Sequence, residues 1–323
     1  MNKKKIYRLT FLLVLLAVLC VLLWELVFPE RGMQVQAQVI GMEAVPSLAA
    51  FERITGPREL VFPRDQGSHP DFQTEWWYYT GNLQTAEGRR FGYQLTFFRR
   101  AVQPAAERAD RSSDWAAEQI YMAHFALTDA DGRAFYAFER FERGAAGLAG
   151  AQGEPNYQVW LRDWQVVQTS DRSYRLHAAQ GDISIDLDLT DQKGIILQGD
   201  RGYSQKGPEP GNASLYYSQT RLVSQGMVTI GQRSYPVSGL SWLDREISTS
   251  VLSAGQIGWD WFALQLSDGS ELMAYVLRRA DSSIDPFSGG TIVFSDGETE
   301  RLTHEAFTVS ATSTWRSPRS GAV

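Results

Sequence analysis

The chain has 323 residues, of which 43% are hydrophobic and 21% charged, so it is long enough for two domains and globular rather than disordered. Its formal net charge of -6, without a basic stripe that carries interleaved aromatic residues, argues against a nucleic-acid partner. The single cysteine, Cys20, lies in an N-terminal apolar run, so the folded part has neither a disulfide nor a thiolate nucleophile.

The N-terminal residues predict an export signal. A basic cluster between positions 3 and 8 precedes a nearly continuous apolar run over residues 11–24. This run is nearly long enough to cross a bilayer, and its positive flank places the rest of the chain outside the cytoplasm. We predict a signal peptide or signal anchor over residues 1–33, the anchor being favoured, and a linker over residues 34–57. The protein is then membrane-anchored or secreted and faces the periplasm or the extracellular side, with the membrane as a partner.

From residue 60 onwards the sequence predicts short strands separated by turns. Residues 183–190, for example, alternate apolar and polar side chains, as a half-buried strand does. The pairs of predicted strands around Gly231 and around Gly269 indicate hairpins. Many short strands without βαβ alternation are typical of antiparallel barrels or sandwiches, so we predict an all-β fold.

A long connection that contains glycine and proline, residues 199–211, is the best internal boundary. It divides the chain into a first barrel over residues 58–210 and a second over residues 211–323. Too few strands follow residue 211 to close an eight-stranded barrel, so we expect either that the second barrel is incomplete or that the natural protein continues beyond residue 323.

Four consecutive aromatic residues follow Glu75 in the segment Glu75-Trp76-Trp77-Tyr78-Tyr79. Successive strand residues point to opposite faces, so Glu75 shares one face with Trp77 and Tyr79, while Trp76 and Tyr78 share the other. Both faces must be covered, which predicts a barrel strand packed on a second layer. Glu75 then lies at or near the interior and must be paired, hydrogen-bonded or protonated.

No familiar catalytic or metal-binding motif is present. The sequence contains no nucleophile elbow, P-loop or dinucleotide fingerprint, and the four histidines are scattered without metal-ligand spacing. We therefore predict no metal and no cofactor. His69 and His124 could still converge in space, although a structural role is favoured for each.

Several segments together resemble the AttH-like, carotenoid 1,2-hydratase (hydroxyneurosporene synthase) family. They are Phe62–Asp65, His69–Phe72, Glu75–Gly81, Gly92–Arg99, Ala123–Asp129, Tyr216–Leu222 and Trp242–Glu246. The resemblance runs from about residue 60 to the C-terminus and implies two lipocalin-like β-barrels in tandem, after the predicted N-terminal helix.

The hydratase branch of this family assigns acid–base work to an aspartate in an aromatic-x-Asp-His context. The matching positions here are Trp242 and Asp244, but Arg245 replaces the histidine. A His-x-Trp motif of that branch is also missing near Leu215 to Tyr217. These departures fit the broader AttH-like branch better than a strict carotenoid hydratase.

The resemblance implies a hydro-lyase that adds water to a terminal C=C bond of an apolar isoprenoid or carotenoid. A carboxyl group buried among aromatic rings keeps its proton near neutral pH, and aromatic faces stabilise a cation. We predict Asp244 as the proton donor and Glu75 as a second acid or base. The predicted ligand-binding residues are Trp77, Trp242, Trp259, Trp261, Tyr217, Arg245 and His124.

Other readings of the same residues stay open. Asp244, Arg245 and Glu246 could form an interior ion-pair network with Glu75, in which Arg245 would lower the pKa of Asp244. Asp260 is expected to be a structural partner. The protein would then be a non-enzymatic, lipocalin-like carrier of a hydrophobic ligand at the membrane surface. A hydrolase is a weaker third reading, because no nucleophile is identifiable.

Overall fold

The structure is a computed structural model that describes residues 51–104, 113 and 115–322. Antiparallel strands dominate this part of the chain, which contains one 3₁₀ turn at Arg64–Gln66 and no α-helix. The prediction of an all-β fold is confirmed. The predicted signal segment and the linker up to residue 50 lie outside the described residues, and none of the described segments forms an apolar helix of membrane-spanning length.

Thirteen strands form one large antiparallel sheet. They are β1 (Thr74–Gln84), β2 (Arg90–Ala101), β3 (Gln119–Asp129), β4 (Ala134–Arg143), β5 (Ala149–Gln152), β6 (Gln158–Leu161), β7 (Trp164–Ser170), β8 (Ser173–Gln180), β9 (Ile183–Asp191), β10 (Ile196–Leu197), β11 (Tyr203–Gln205), β12 (Ala213–Ile230) and β13 (Arg233–Ser248). Four more strands form a small sheet: β14 (Gln256–Gln265), β15 (Glu271–Arg279), β16 (Gly289–Val293) and β17 (Thr299–Thr303).

The large sheet curls into a nearly closed barrel. Its strand order is β4-β3-β2-β1-β13-β12-β9-β8-β7-β6-β5, and β6 returns to contact β2, β3 and β4. The two long strands β12 and β13 are joined by the predicted turn at Gly231, which has a positive φ of 61°. Because residues 238–248 of β13 pair with the whole of β1, the large sheet continues beyond the predicted boundary at residue 210.

The four-stranded small sheet has the strand order β14-β15-β16-β17. Its first hairpin, β14–β15, contains the predicted turn at Gly269. β12 and β13 belong to the barrel, and the small sheet begins with β14, the next strand along the chain. The part of the described chain that follows β13 is therefore a four-stranded sheet, much smaller than a full barrel.

Side chains fill the interior of the barrel. Burial alternates along β1, so Trp77 and Tyr79 are inaccessible while Trp76 and Tyr78 on the other face are only partly buried. Interior positions on the other strands carry further large apolar residues, including Leu95, Phe97, Phe125, Leu161, Trp164, Leu176 and Leu189. The barrel interior is thus a packed core.

A buried ion-pair cluster attaches the small sheet to the barrel. Glu271 on β15 is inaccessible to solvent and pairs with Lys193 at 2.7 Å and with Arg221 at 2.5 Å. Gln265 on β14 adds hydrogen bonds to the main-chain oxygens of Thr220 (2.7 Å) and Ser241 (2.9 Å). These contacts hold the outer face of β12 and β13 against the small sheet, which is the second layer predicted from the aromatic strand.

Candidate functional site between the barrel and the small sheet

Asp244 lies on the outer face of the barrel, where the small sheet covers it. It is opposite Tyr78 on β1 and Ser218 on β12, and only 4% of its surface is exposed. Tyr216 and Trp242 share this face and pack against Met273 of the small sheet. The aspartate is therefore enclosed by both layers.

Three donors converge on a single oxygen of Asp244. Its Oδ1 accepts hydrogen bonds from Tyr216 Oη at 2.9 Å, Ser218 Oγ at 2.5 Å and Trp242 Nε1 at 2.9 Å. Within the described part of the chain, no group donates a hydrogen bond to Oδ2. Since Oδ1 is fully used as an acceptor, an acid proton on this carboxyl group must sit on Oδ2.

The surroundings of Asp244 favour its protonated form. Burial raises the pKa of Asp244 to about 7, in spite of the three hydrogen bonds, which act to lower it. The negative charge of Glu246 adds to the rise. Burial and the negative charges of Asp244 and Glu246 also raise the pKa of Tyr216 well above its ordinary value, so this tyrosine stays a neutral donor.

Aromatic rings line the space next to Asp244. The rings of Tyr78 and Trp261 meet edge to face with their centroids 5.5 Å apart, and Trp261 Nε1 donates to Tyr216 Oη at 3.4 Å. Of the predicted tryptophans, Trp242 donates directly to Asp244, whereas Trp261 contacts Tyr216, which itself donates to Asp244. Trp259 is 52% exposed, and the neighbouring Asp260 faces Arg278 at 3.6 Å.

A cleft of about 360 Å³ opens between the small sheet and the chain around β11. Met273 and Tyr275 line it, and the same two residues pack against the cluster of Tyr216 and Trp242. Lys206 lies above this junction, with Nζ 4.0 Å from the ring centroid of Tyr275. A volume of this size is typical of small-molecule sites, and its inner wall borders the Asp244 cluster.

Glu75 occupies a different environment on the inner face of the same sheet. It is completely buried, and its two oxygens form ion pairs with Arg99 and Arg245. The main-chain nitrogen of His69 donates to Oε1 at 2.7 Å, and His69 Nδ1 lies 3.2 Å from Oε2. The guanidinium of Arg245 also lies 3.9 Å from the ring centroid of Trp77.

The two arginines determine the charge of Glu75. Burial acts to raise the pKa of Glu75, but the positive charges of Arg245 and Arg99 outweigh it and hold the pKa well below its ordinary value. A carboxylate held in this way is an anchor for the arginines and has no proton to donate near neutral pH.

Glu75, Asp244, Arg245 and Glu246 do not form the single ion-pair network that the sequence left open. Arg245 points inwards to Glu75, whereas Asp244 and Glu246 point outwards, because adjacent strand residues face opposite sides. Arg245 therefore does not lower the pKa of Asp244 as that alternative requires; burial raises it instead.

The same alternation separates the other predicted ligand-binding residues. Trp77 and Tyr217 face the packed interior, where Trp77 Nε1 donates to the main-chain oxygen of Gln66 at 2.8 Å. Sequence reasoning selected Tyr217 and missed its neighbours Tyr216 and Ser218, which donate to Asp244. Their signal was available: they alternate with Tyr217, so they share the opposite face.

The two candidate histidines do not converge. His69 lies on the inner side with Glu75, while His124 on β3 contacts Glu139 at 3.0 Å and the ring of Phe98. His124 is three strands away from Asp244, which is roughly 14 Å at normal strand spacing. No group of three or more acidic, histidine or cysteine side chains in the described residues is arranged to hold a metal ion.

The solved structures that are similar to this chain include an AttH-type protein and a hydratase. An AttH-type protein from Nitrosomonas europaea is 34% identical, with 84% of this chain and 81% of that chain covered and a TM-score of 0.73. Kievitone hydratase from Nectria haematococca is 12% identical, with 79% of this chain and 73% of that chain covered and a TM-score of 0.54, a likeness that shows the fold alone. No protein among those with curated functions matches the chain.

The sequence model of the AttH-like family matches residues 53–323, which includes both sheets and the Asp244 cluster. This match covers most of the chain and agrees with the similarity to the AttH-type protein. The resemblance predicted from the sequence is confirmed, and the chain belongs to the AttH-like family.

Proposed function

We propose that this protein is a hydratase that adds water to a terminal C=C bond of an apolar isoprenoid, with Asp244 as the proton donor. One observation carries the proposal: Asp244 is buried and forms no ion pair with any of the described residues, and its pKa of about 7 leaves it substantially protonated near neutral pH. General acids work best when their pKa lies near the operating pH.

The hydrogen bonds of Asp244 support a role in proton donation. The three donors on Oδ1 fix the orientation of the carboxyl group and leave the acid proton on Oδ2. They also stabilise the carboxylate that forms when the proton leaves, because hydrogen bonds to a charged oxygen are stronger than those to a neutral one. The same arrangement therefore holds the acid and its conjugate base.

The aromatic residues around Asp244 suit the intermediate of such a reaction. Protonating a trisubstituted alkene at its less substituted carbon leaves a tertiary carbocation on the neighbouring carbon. The faces of aromatic rings such as Tyr78, Trp242 and Trp261 stabilise a nearby cation through their quadrupoles. Asp244 is only 4% exposed, which limits the access of bulk water to it before the cation forms.

The substrate class is supported by the family resemblance and by one end of the cleft. There Met273 and Tyr275 lie next to the aromatic cluster, which favours an apolar end of the ligand, whereas other residues of the lining are polar or charged, among them Arg301, His304 and Glu305. We propose an acyclic isoprenoid or carotenoid as that ligand. The barrel interior is packed with side chains, so the ligand would lie between the sheets rather than inside the barrel.

The test uses the full chain and three acyclic isoprenoids that end in a trisubstituted double bond: geraniol, squalene and lycopene. In ¹⁸O-labelled water, we expect a tertiary alcohol that carries the label, detected by mass spectrometry. Asp244→Asn should reduce its formation by at least about 100-fold, because a positioned general acid contributes 10²–10⁴-fold. Asp260→Asn, an aspartate between two tryptophans outside the site, is the matched control and should stay active. Retained activity in Asp244→Asn would exclude the assignment.

The carrier alternative gives a different result in the same experiment. A non-enzymatic lipocalin-like protein would bind one of these compounds, or a co-purifying lipid, and release it chemically unchanged. Native mass spectrometry and solvent extraction of the purified full chain distinguish the two. A bound lipid without any labelled alcohol would favour the carrier.

We also propose that the protein acts outside the cytoplasm, attached to a membrane by its N-terminal segment. The support is the apolar run over residues 11–24 behind a basic cluster. Alkaline extraction of cell membranes should leave the full chain in the membrane fraction, and added protease should reach its folded part from outside. Release by alkali, or protection from protease, would contradict this.

A further inference from the structure

Glu246 lies beside Asp244 on the outer face of β13. Its Cα is paired with Trp76 on β1 and with Tyr216 on β12. Residues two positions apart on a strand share a face and lie roughly 7 Å apart. The charge of Glu246 acts on both Asp244 and Tyr216, as their raised pKa values record. Glu246 is therefore a second carboxyl group of the same site.

No structural role accounts for the side chain of Glu246. Its Oε2 is buried and accepts no hydrogen bond from the part of the chain that the structure describes, where its carboxylate also forms no ion pair. The neighbouring Arg245 donates to the main-chain oxygen of Glu246 at 2.8 Å and turns its other Nη to the inner face. A buried carboxylate oxygen without a donor costs free energy, and such groups concentrate at functional sites.

We propose that Glu246 is the general base that deprotonates the attacking water, an inference that rests on the proposed hydratase function. Asp244 gives its Oδ2 proton to the terminal alkene carbon, and the π electrons form the new C–H bond and leave a tertiary cation. The water oxygen then bonds to the cation, and one water proton passes to Glu246. The proton returns from Glu246 to Asp244 through water, so one alkene and one water give one alcohol.

The two carboxyl groups are suited to different roles. Three donors hold Asp244 by Oδ1, whereas Glu246 has an oxygen free to accept a proton. The backbone positions of the two residues lie about 7 Å apart on one face, which leaves room for a water molecule between their side chains. Enzymes that activate water with one of two separated carboxylates place a water in this way. Asp244 can therefore protonate one alkene carbon while Glu246 deprotonates the water that attacks the other.

The experiment separates the two steps with two readouts on geraniol, squalene and lycopene in D₂O. Deuterium in the recovered alkene reports proton transfer by Asp244, since the Asp244 carboxylate can take a proton back from the cation. Tertiary alcohol reports the attack of water. In Glu246→Gln we expect alcohol formation to fall by about 100-fold while deuterium exchange persists. Asp244→Asn should lose both, and Glu246→Asp should recover part of the alcohol.

Each other result has a defined meaning. Wild-type alcohol formation in Glu246→Gln would overturn the inference, and so would the loss of both readouts in a variant that keeps the wild-type melting temperature. A wild-type protein that shows neither readout would instead overturn the proposed hydratase function, and this inference with it. Glu87→Gln, in the exposed β1–β2 turn, is the matched control and should behave as the wild type.

Discussion

The inner and outer faces of the β1–β13 strand pair each bury a carboxyl group, and the two groups are in opposite electrostatic states. Glu75 on the inner face is inaccessible and has a lowered pKa. Asp244 on the outer face is almost as buried, and its pKa is raised to about 7. Burial alone therefore does not decide the protonation of a carboxyl group in this protein.

The partners on each face explain the difference. Burial disfavours the anion at both positions, but two guanidinium groups contact Glu75, and their charge outweighs this penalty. Asp244 receives only neutral donors and lies near a second carboxylate, so the effect of burial dominates. The inner face is thus built to anchor charge and the outer face to hold a proton.

The largest expected effect comes from breaking the inner cluster. Glu75→Gln leaves the side chains of Arg99 and Arg245 buried without their anion. Removing one partner of a buried ion pair typically costs about 3–5 kcal/mol in the free energy of unfolding. Urea denaturation of the variant and the wild type at neutral pH measures this loss.

A surface ion pair provides the control for that measurement. Arg175 and Asp188 are 2.9 Å apart, with more than half of each side chain exposed. Asp188→Asn should therefore cost less than about 1 kcal/mol. Equal losses from Glu75→Gln and Asp188→Asn would mean that the inner cluster does not anchor the barrel.

The outer face should make stability depend on pH in a way that Asp244→Asn removes. Because the pKa of folded Asp244 is about 7 and its ordinary value is 3.8, the folded protein binds this proton more tightly than the unfolded chain. The stability that this proton contributes is therefore fully present below about pH 4 and is lost as the pH rises through about 7, by about 4 kcal/mol. Urea denaturation across this range should show the loss in the wild type relative to Asp244→Asn.

A stability of the wild type, relative to Asp244→Asn, that increases as the pH rises would contradict the assignment of the outer site. Because the pKa of folded Glu75 is lowered, Glu75 contributes stability at pH values above its ordinary pKa, and this contribution is lost as the pH falls. Comparing the wild type with Glu75→Gln in acid should show this second dependence. A difference between the wild type and Asp244→Asn that stays constant with pH would mean that Asp244 does not hold its proton in the folded protein.

The smallest effect concerns a single donor to Asp244. Tyr216→Phe removes one hydrogen bond that lowers the pKa of Asp244, so its titration midpoint should move upwards by less than about one pH unit. The midpoint is measured from the infrared carboxyl band, as the difference between Tyr216→Phe and the double variant that also carries Asp244→Asn. Tyr217→Phe, on the inner face, is the matched control, and a shift of the same size there would contradict the local cause.

Much of the fold could be predicted from local pattern. The alternation in residues 183–190 became β9, the turns at Gly231 and Gly269 became hairpins, and the two-faced aromatic strand became β1 between the core and the small sheet. Such features depend on neighbours within a few residues, and the side-chain period of a strand is fixed at two. The connection over residues 199–211, in contrast, does not end the large sheet.

The sequence by itself determined that Glu75 and Asp244 are carboxyl groups among aromatic residues, and that Asp244 and Arg245 point to opposite faces of any strand that contains them. Only the tertiary structure decided which face meets two arginines and which meets Tyr216, Ser218 and the small sheet. The reason is that β13 contacts β1 and β12 from distant parts of the chain. A pKa depends on the charges and donors that such long-range pairing places around a group, which local periodicity does not contain.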